Sequence, residues 1–521
     1  MEKEMVMWII LLLYLAVMIG IGVYCRKMAG SVQNFVLGGR NLGPWFTAFA
    51  YGTSYFSAVV FIGYAGQFGW NYGVASTWVG IGNALIGSLL AWWLLGNRTR
   101  LMSRHLNATT MPEFFEKRYH SKGLKIASAL IVFIFLIPYT ASVYNGLSRL
   151  FEEAFGIDYL YCIIGMAVLT AIYVVLGGYT ATAINDFVQG IIMLIGIAAV
   201  VIFAVNGQGG LFTALTNLGK ISDVGVPENS LNSLFGPDPL NLLGVVILTS
   251  LGTWALPQMV QKFYAIKDKP AVTRGAVIST IFALVVAGGS YFLGGLGRLY
   301  VDDFASYDDI VPDMLSQALP DILMGVVVVL VLSASMSTLS SLVLTSSSTL
   351  TIDLIKPFRK NMKEKTQVLW IRILIVVFIV ISVVIAANKT TLITSLMSVS
   401  WGTLAGAFLG PFLYGLYSKR ISRASVWTAF VVGVVFTVGH MVLFNLGLFP
   451  DLVAAVQGLN CPLNLVSPIN AGAAAMLISL ILVPVVSLFT KKQPDEELEQ
   501  VFSGIRKEKK AKAKAKAKAK A

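Results

Sequence analysis

The chain alternates long apolar runs with short polar stretches. The runs are about 20 residues long, enough for a helix to cross the hydrocarbon core of a bilayer. Thirteen spans are expected, near 6–25, 45–70, 74–96, 126–149, 157–177, 183–206, 241–263, 272–297, 320–352, 367–387, 391–417, 424–446 and 468–489. An odd number places the termini on opposite sides. Alternate loops are basic: Arg26, Lys27 and Arg40; Arg98, Arg100, Arg104, Lys117, Arg118 and Lys122; Lys262, Lys267, Lys269 and Arg274; Arg359, Lys360, Lys363 and Lys365; Lys419, Arg420 and Arg423. The intervening loops are neutral or acidic, most clearly at Asp302, Asp303, Asp308, Asp309 and Asp313. Basic loops stay in the cytoplasm, so the N-terminus is expected outside and the C-terminus inside, with the chain a multi-pass protein of the cell (plasma) membrane.

Two spans carry matching interruptions. The second holds Tyr51-Gly-Thr-Ser-Tyr-Phe-Ser57, and the seventh holds Thr249-Ser-Leu-Gly-Thr-Trp-Ala-Leu-Pro257. Pro257 removes a backbone donor and disfavours helix at Leu256. Each interrupted span opens a block of five, 45–206 and 241–417. Five is odd, so the second block enters from the opposite side, as in an inverted repeat. Broken helices at equivalent places in two inverted halves point to a binding site near mid-membrane. Two unrelated kinks are the alternative.

The ninth span is unusually rich in hydroxyls. In Val331–Asp353, Ala334, Ser337, Thr338 and Ser341 fall on one helix face, with Ser340 at its edge. Such a face serves close helix packing, or it offers oxygen ligands to a hard cation. Ionisable residues inside spans are rare and costly. Asp186, at the start of the sixth span, is the clear case. It either caps that helix or guides a cation.

Composition narrows the function classes. Of 521 residues 56% are hydrophobic and 12% charged, so the bilayer is the solvent. The net charge of +13 follows from topology, not from nucleic-acid binding. No GxxxxGK[ST] stretch supports ATP drive, and Gly-x-Ser-x-Gly is absent. His105, His120 and His440 are scattered, as are Cys25, Cys162 and Cys461, so neither metal nor redox spacing is present. The chain is not expected to be an enzyme. The first apolar run reads as a retained span. The tail from Lys491 becomes alternating Lys-Ala and is expected to be disordered. A membrane sensor would need a signalling domain, and only about 30 polar residues follow Phe489, fewer than a domain needs. A sodium-permeable leak pathway is a further alternative.

Four motifs resemble the sodium/solute symporter family. They are Ser-Tyr-Phe-Ser-Ala with Phe-Ile-Gly in the second span, YTATAINDFVQG after Leu-Gly-Gly, Leu-Pro-Gln…Lys262-Phe-Tyr-Ala…Arg274-Gly-Ala, and Ala-Ser-Met-Ser-Thr-Leu-Ser-Ser in the ninth span. They occur in order over roughly 1–450, and bacterial sodium/pantothenate and sodium/proline symporters are similar members. The resemblance implies an all-α membrane protein of LeuT-type fold, with 13 transmembrane helices and a 5+5 inverted repeat in spans 2–11. The expected divisions are 1–40 (first helix and loop), 41–206 (first repeat), 207–240 (extracellular loop), 241–417 (second repeat), 418–489 (peripheral spans 12–13) and 490–521 (basic tail).

It further implies sodium-coupled import of a small organic solute by alternating access, working as a monomer or weak oligomer. Carried over by residue, the sodium site uses the carbonyls of Thr53, Phe56 and Ala334 and the hydroxyls of Ser337 and Thr338. Some members, including a bacterial sialic acid transporter, hold a second Na⁺. Its matching residues here are Asp186, Ser340 and Ser341, so two ions per cycle are expected. Substrate is expected against Tyr51, Ser54, Tyr55, Ser57, Thr249, Thr253, Trp254 and Gln258. The proline carriers have an acidic residue at the position of Tyr55, and a Trp and a Tyr at those of Thr249 and Thr253. A carboxylate such as pantothenate or a monocarboxylate therefore competes with proline. No basic residue is expected in the pocket.

Overall fold

A computed structural model describes residues 2–518 apart from 224, 360, 388–392 and 460. Lys360 of the expected basic loops and the last three residues of the tail lie outside the described residues. Helix follows helix, and β-pairing among the described residues is limited to isolated bridges such as Leu42 with Ile266.

The helices that frame the site are α1 (Glu2–Cys25), α2 (Pro44–Tyr55), α3 (Val59–His105), α4 (Lys122–Phe155), α5 (Tyr159–Gly207), α6 (Pro239–Gly252), α7 (Pro257–Ala265), α8 (Lys269–Gly295) and α9 (Asp321–Thr349). Around them lie α10 (Glu364–Ala386), α11 (Ile393–Tyr417), α12 (Arg423–Phe444), α13 (Pro468–Phe489) and α14 (Asp495–Lys518). Local chemistry sets several starts. Pro44, Pro239, Pro257 and Pro468 sit in first turns, where a missing N–H costs nothing. Asp238, Asp268 and Ser422 accept a backbone N–H as N-caps.

Among the described residues, 11 continuous segments are long and apolar enough to cross a membrane, rather than 13 separate ones. Two are of double length. The 47 residues of α3 and the 49 of α5 correspond to about 70 Å of helix each, against a hydrocarbon core of about 30 Å. Short gaps, near 70–74 and 177–183, were expected between their halves. Instead a single glycine breaks each one: Gly73 at φ +59° and Gly178 at φ +55°. A side chain at Gly178 would also lie 2.8 Å from the Phe35 carbonyl. Helical hydrogen bonding on both sides of so short a break runs together.

The core is built around α9. Of its most apolar stretch 94% is buried, against 28% for α12, whose outward positions Val431 and Val435 suit lipid. Helix α8 is drawn against α3 by glycine. A methyl added at Gly69 would lie 2.0 Å from the Gly294 backbone, and one at Gly80 would lie 2.4 Å from Gly288. Only bare backbone allows that approach.

The tail differs from expectation. Helix α14 docks through buried Leu498, Val501, Phe502 and Ile505. Arg118, assigned to a solvated loop from sequence, is fully buried beneath it. Its guanidinium donates to Gln493, Gly415 and Ser418 and lies over the Phe502 ring. The four apolar residues share one face of a helix, and that amphipathic pattern outweighs the polar average of the segment.

Candidate functional site

The two expected breaks are present. Helix α2 ends at Tyr55, Phe56 is extended (φ −90°, ψ 117°), and helix resumes after Ser57, whose hydroxyl accepts from Val59 N. Helix α6 ends at Gly252, Leu256 is extended (φ −68°, ψ 126°), and α7 starts on Pro257. The last carbonyls of a helix have no donor within it. At the first break those of Thr53 and Phe56 turn to α9. Ser337 Oγ donates to Thr53 O at 3.1 Å and to Ala334 O at 2.9 Å. Thr338 Oγ1 lies 3.1 Å from Thr53 O, 3.3 Å from Phe56 O and 3.2 Å from Ala334 O. The five groups expected from sequence therefore meet in one cluster of neutral oxygens, with every contributing residue buried.

The expected substrate residues divide into two sets. Tyr51 and Thr253 both donate to Gly87 O at 2.8 Å, and Trp254 Nε1 donates to Ile86 O at 3.0 Å. These three hold α2 and the α6–α7 break onto α3. Thr249 bonds back to Val245 O, and Ser54 pairs with Ser341 at 2.8 Å. Tyr55 is buried with its ring 2% exposed. Gln258 differs: both amide atoms are buried without a partner. So is the Tyr291 hydroxyl, while the Tyr139 hydroxyl lies close to the Trp401 indole N–H and to Ser57. Tyr139 packs edge-on against Trp401 at 5.7 Å. Buried polar groups normally find partners, so Gln258 and Tyr291 stand out among the buried side chains here. Sequence reasoning missed Tyr139, Tyr291 and Trp401, because each sits in an ordinary apolar run.

A profile of the Sodium:solute symporter family matches residues 35–433. The chain belongs to that family. Curated relatives from several strains of Staphylococcus aureus are sodium/proline symporters, 31% identical over 442 residues, covering 82% of this chain and 84% of theirs. Among solved structures, the chain resembles a Na⁺-coupled sialic acid symporter in a substrate-bound outward-open state, described with a novel Na⁺ site. The TM-score is 0.67 at 16% identity, over 93% of this chain and 98% of that one. It also resembles Mhp1, a nucleobase-cation-symport-1 family transporter, with TM-score 0.50 and 14% identity over 90% and 97% of the two chains. These likenesses fix the fold as LeuT-type. The protein is a multi-pass, sodium-coupled solute importer, and its family and relatives are transporters rather than enzymes.

The symporter buries a lysine that its sequence hid. Lys262 looks like a loop residue, yet it is 1% exposed within α7. Its ammonium donates to Ser341 Oγ at 2.9 Å and lies 5.0 Å from the Tyr179 ring centroid. Lys262 lies one turn beyond Gln258 on the same helix face and reaches Ser341, which pairs with the expected substrate residue Ser54. Asp186 is not an N-cap. It lies inside α5 with 0% exposure, and neither carboxylate oxygen has a hydrogen-bond partner. Its principal charged neighbour is Lys262. Ser340 donates to Ser337 O.

Proposed function

We propose that the protein couples inward movement of Na⁺ to import of a small solute bearing a carboxylate, such as proline or a monocarboxylate. The observation that carries this reading is the convergence of the Ser337 and Thr338 hydroxyls on the carbonyls freed at Phe56. Sodium favours neutral oxygen ligands, and a cage without carboxylates lets the ion leave again. Sodium binding joins α2 to α9 and favours the outward-open state, because it holds the break in the geometry that receives substrate. Solute then completes the site, and the bundle closes behind it. Each ion moving inward contributes about 2.3 kcal/mol per 100 mV.

The solute class follows from the buried polar groups. Tyr139 and Tyr291 offer O–H, Trp401 offers N–H, and Gln258 offers an amide beside the N-terminus of α7. Such groups can donate to an anionic or zwitterionic head group. The S. aureus relatives make proline the first compound to try, although Tyr55, Thr249 and Thr253 depart from the proline pattern. We further propose thirteen crossings, with α2 and the first part of α3 together making the second, the rest of α3 making the third and α5 crossing twice, the N-terminus outside and the C-terminus in the cytoplasm.

Purified protein in proteoliposomes, given an inward sodium gradient and radiolabelled proline, pantothenate, short monocarboxylates or sialic acid, tests this reading. At least one carboxylate should accumulate with sodium and not with potassium. Ser337→Ala combined with Thr338→Ala should abolish that accumulation. Uptake of all four classes without sodium would refute the coupling.

A further inference from the structure

The residues expected to hold a second sodium are Asp186, Ser340 and Ser341. In the folded chain the ammonium of Lys262 is already on Ser341. We propose that Lys262 is a resident cation taking the place of a second sodium, so that one Na⁺ moves per cycle. This rests on the sodium site proposed above, and it deepens that reading by fixing the stoichiometry.

The geometry supports the assignment from three sides. Ser341 Oγ engages Lys262 at 2.9 Å and Ser54 at 2.8 Å. A hydroxyl has one proton and two lone pairs, so these two contacts leave it at most one lone pair. Lys262 lies 5.0 Å from the Tyr179 ring centroid, within cation–π range. Asp186 and Lys262 are both buried, at 0% and 1% exposure, and a buried charge needs its opposite nearby. The carboxylate keeps both oxygens free of hydrogen bonds and makes no direct ion pair, and Lys262 acts on its charge across the gap.

A sodium ion on Ser341 would sit about 2.4 Å from Oγ, as hard cations do. The ammonium on the same oxygen would then be about 4 Å away. At an effective dielectric of about 20, that repulsion weakens binding on the order of a thousandfold. Removing the ammonium should reverse the effect. It leaves Asp186 unbalanced and frees a lone pair of Ser341, which together recreate a cation site.

The test counts sodium directly and needs no knowledge of the solute. Equilibrium binding of ²²Na⁺ to purified full-length protein is measured for wild type, Lys262→Ala, Lys262→Gln and the double variant Lys262→Ala with Asp186→Asn. Each sample is checked for a monodisperse peak by size exclusion. Wild type should hold one ion per chain with a Hill coefficient of 1. The two neutral variants should hold two, and the double variant should return to one. A wild-type count of two overturns the proposal without any variant. So does a folded neutral variant, either one, that stays at one. A wild type that binds no sodium overturns the sodium-site reading, and this inference falls with it. A count of two that drops to one in Ser337→Ala with Thr338→Ala overturns the resident-cation proposal and leaves the first site standing.

Discussion

Replacing Thr338 by alanine removes one oxygen from the cluster between α2 and α9. That hydroxyl reaches three carbonyls, Thr53 at 3.1 Å, Ala334 at 3.2 Å and Phe56 at 3.3 Å, and it is fully buried. An oxygen facing a cation contributes about as much as a hydrogen bond to a charged group, roughly 1.5–3 kcal/mol. At 1.4 kcal/mol per factor of ten, sodium affinity should fall about 10- to 100-fold. Thermal unfolding in detergent reads this without a solute. A ligand stabilises the folded state by RT ln(1 + [L]/Kd), about 2.7 kcal/mol at a hundred times Kd. Sodium fixed at that concentration for wild type should stabilise Thr338→Ala by only about 0.4–1.4 kcal/mol. Potassium serves as the blank. Thr338→Ser keeps the oxygen and loses a methyl, so it should track wild type. Equal sodium stabilisation in wild type and the alanine variant would refute the ligand role. A serine variant as impaired as alanine would show that the methyl packing matters instead.

Other features of the molecule give sharper tests of the fold than of the ion. Gly69→Ala places a methyl 2.0 Å from the Gly294 backbone, so α3 and α8 must part. A loss of about 3 kcal/mol or more is expected, read as a lower Tm. Phe502→Ala removes a ring that is 6% exposed under Arg118. It should cost about 3–5 kcal/mol and leave sodium affinity unchanged. Asp308 is buried in the loop before α9, near Arg149 and bonded to Ile393 N. Burial pushes its carboxyl up to about 6, against the weaker opposing pull of Arg149. A carboxyl raised in this way favours the folded state fully below its unfolded value near 4, and that contribution is lost as pH rises through about 6. The wild type should therefore lose up to about 3 kcal/mol of stability between pH 4 and 7 from this group. Asp308→Asn should flatten that part of the Tm–pH curve, and an unchanged curve would remove Asp308 as its source.

Much of the site was legible because it rests on local chemistry. Pro257 and the neighbouring glycines announce broken helices, and Ser337 with Thr338 announces a hydroxyl face. Those signals act over four or five residues, and the folded chain brings them together as expected. What escaped was set by tertiary contact. Lys262 reads as a loop cation until Ser341, Tyr179 and Asp186 are seen around it. Tyr139, Tyr291 and Trp401 draw notice only once their buried polar atoms are seen in the fold. The tail was misjudged by its average polarity, while four apolar residues at helical spacing decided its docking. The continuous apolar segments number 11 because Gly73 and Gly178 turn the chain within single residues and helix runs on from both sides.

The most direct test of symport runs the cycle backwards. Proteoliposomes reconstituted with the chain are loaded with the transported solute, identified by the uptake screen, and diluted into solute-free buffer with equal sodium on both sides and the membrane potential clamped at zero. Coupling through one shared site requires the departing solute to drag sodium with it, so internal ²²Na⁺ should fall below external, and Ser337→Ala with Thr338→Ala should prevent this. Solute leaving at the same rate while ²²Na⁺ stays level would contradict sodium coupling at its root.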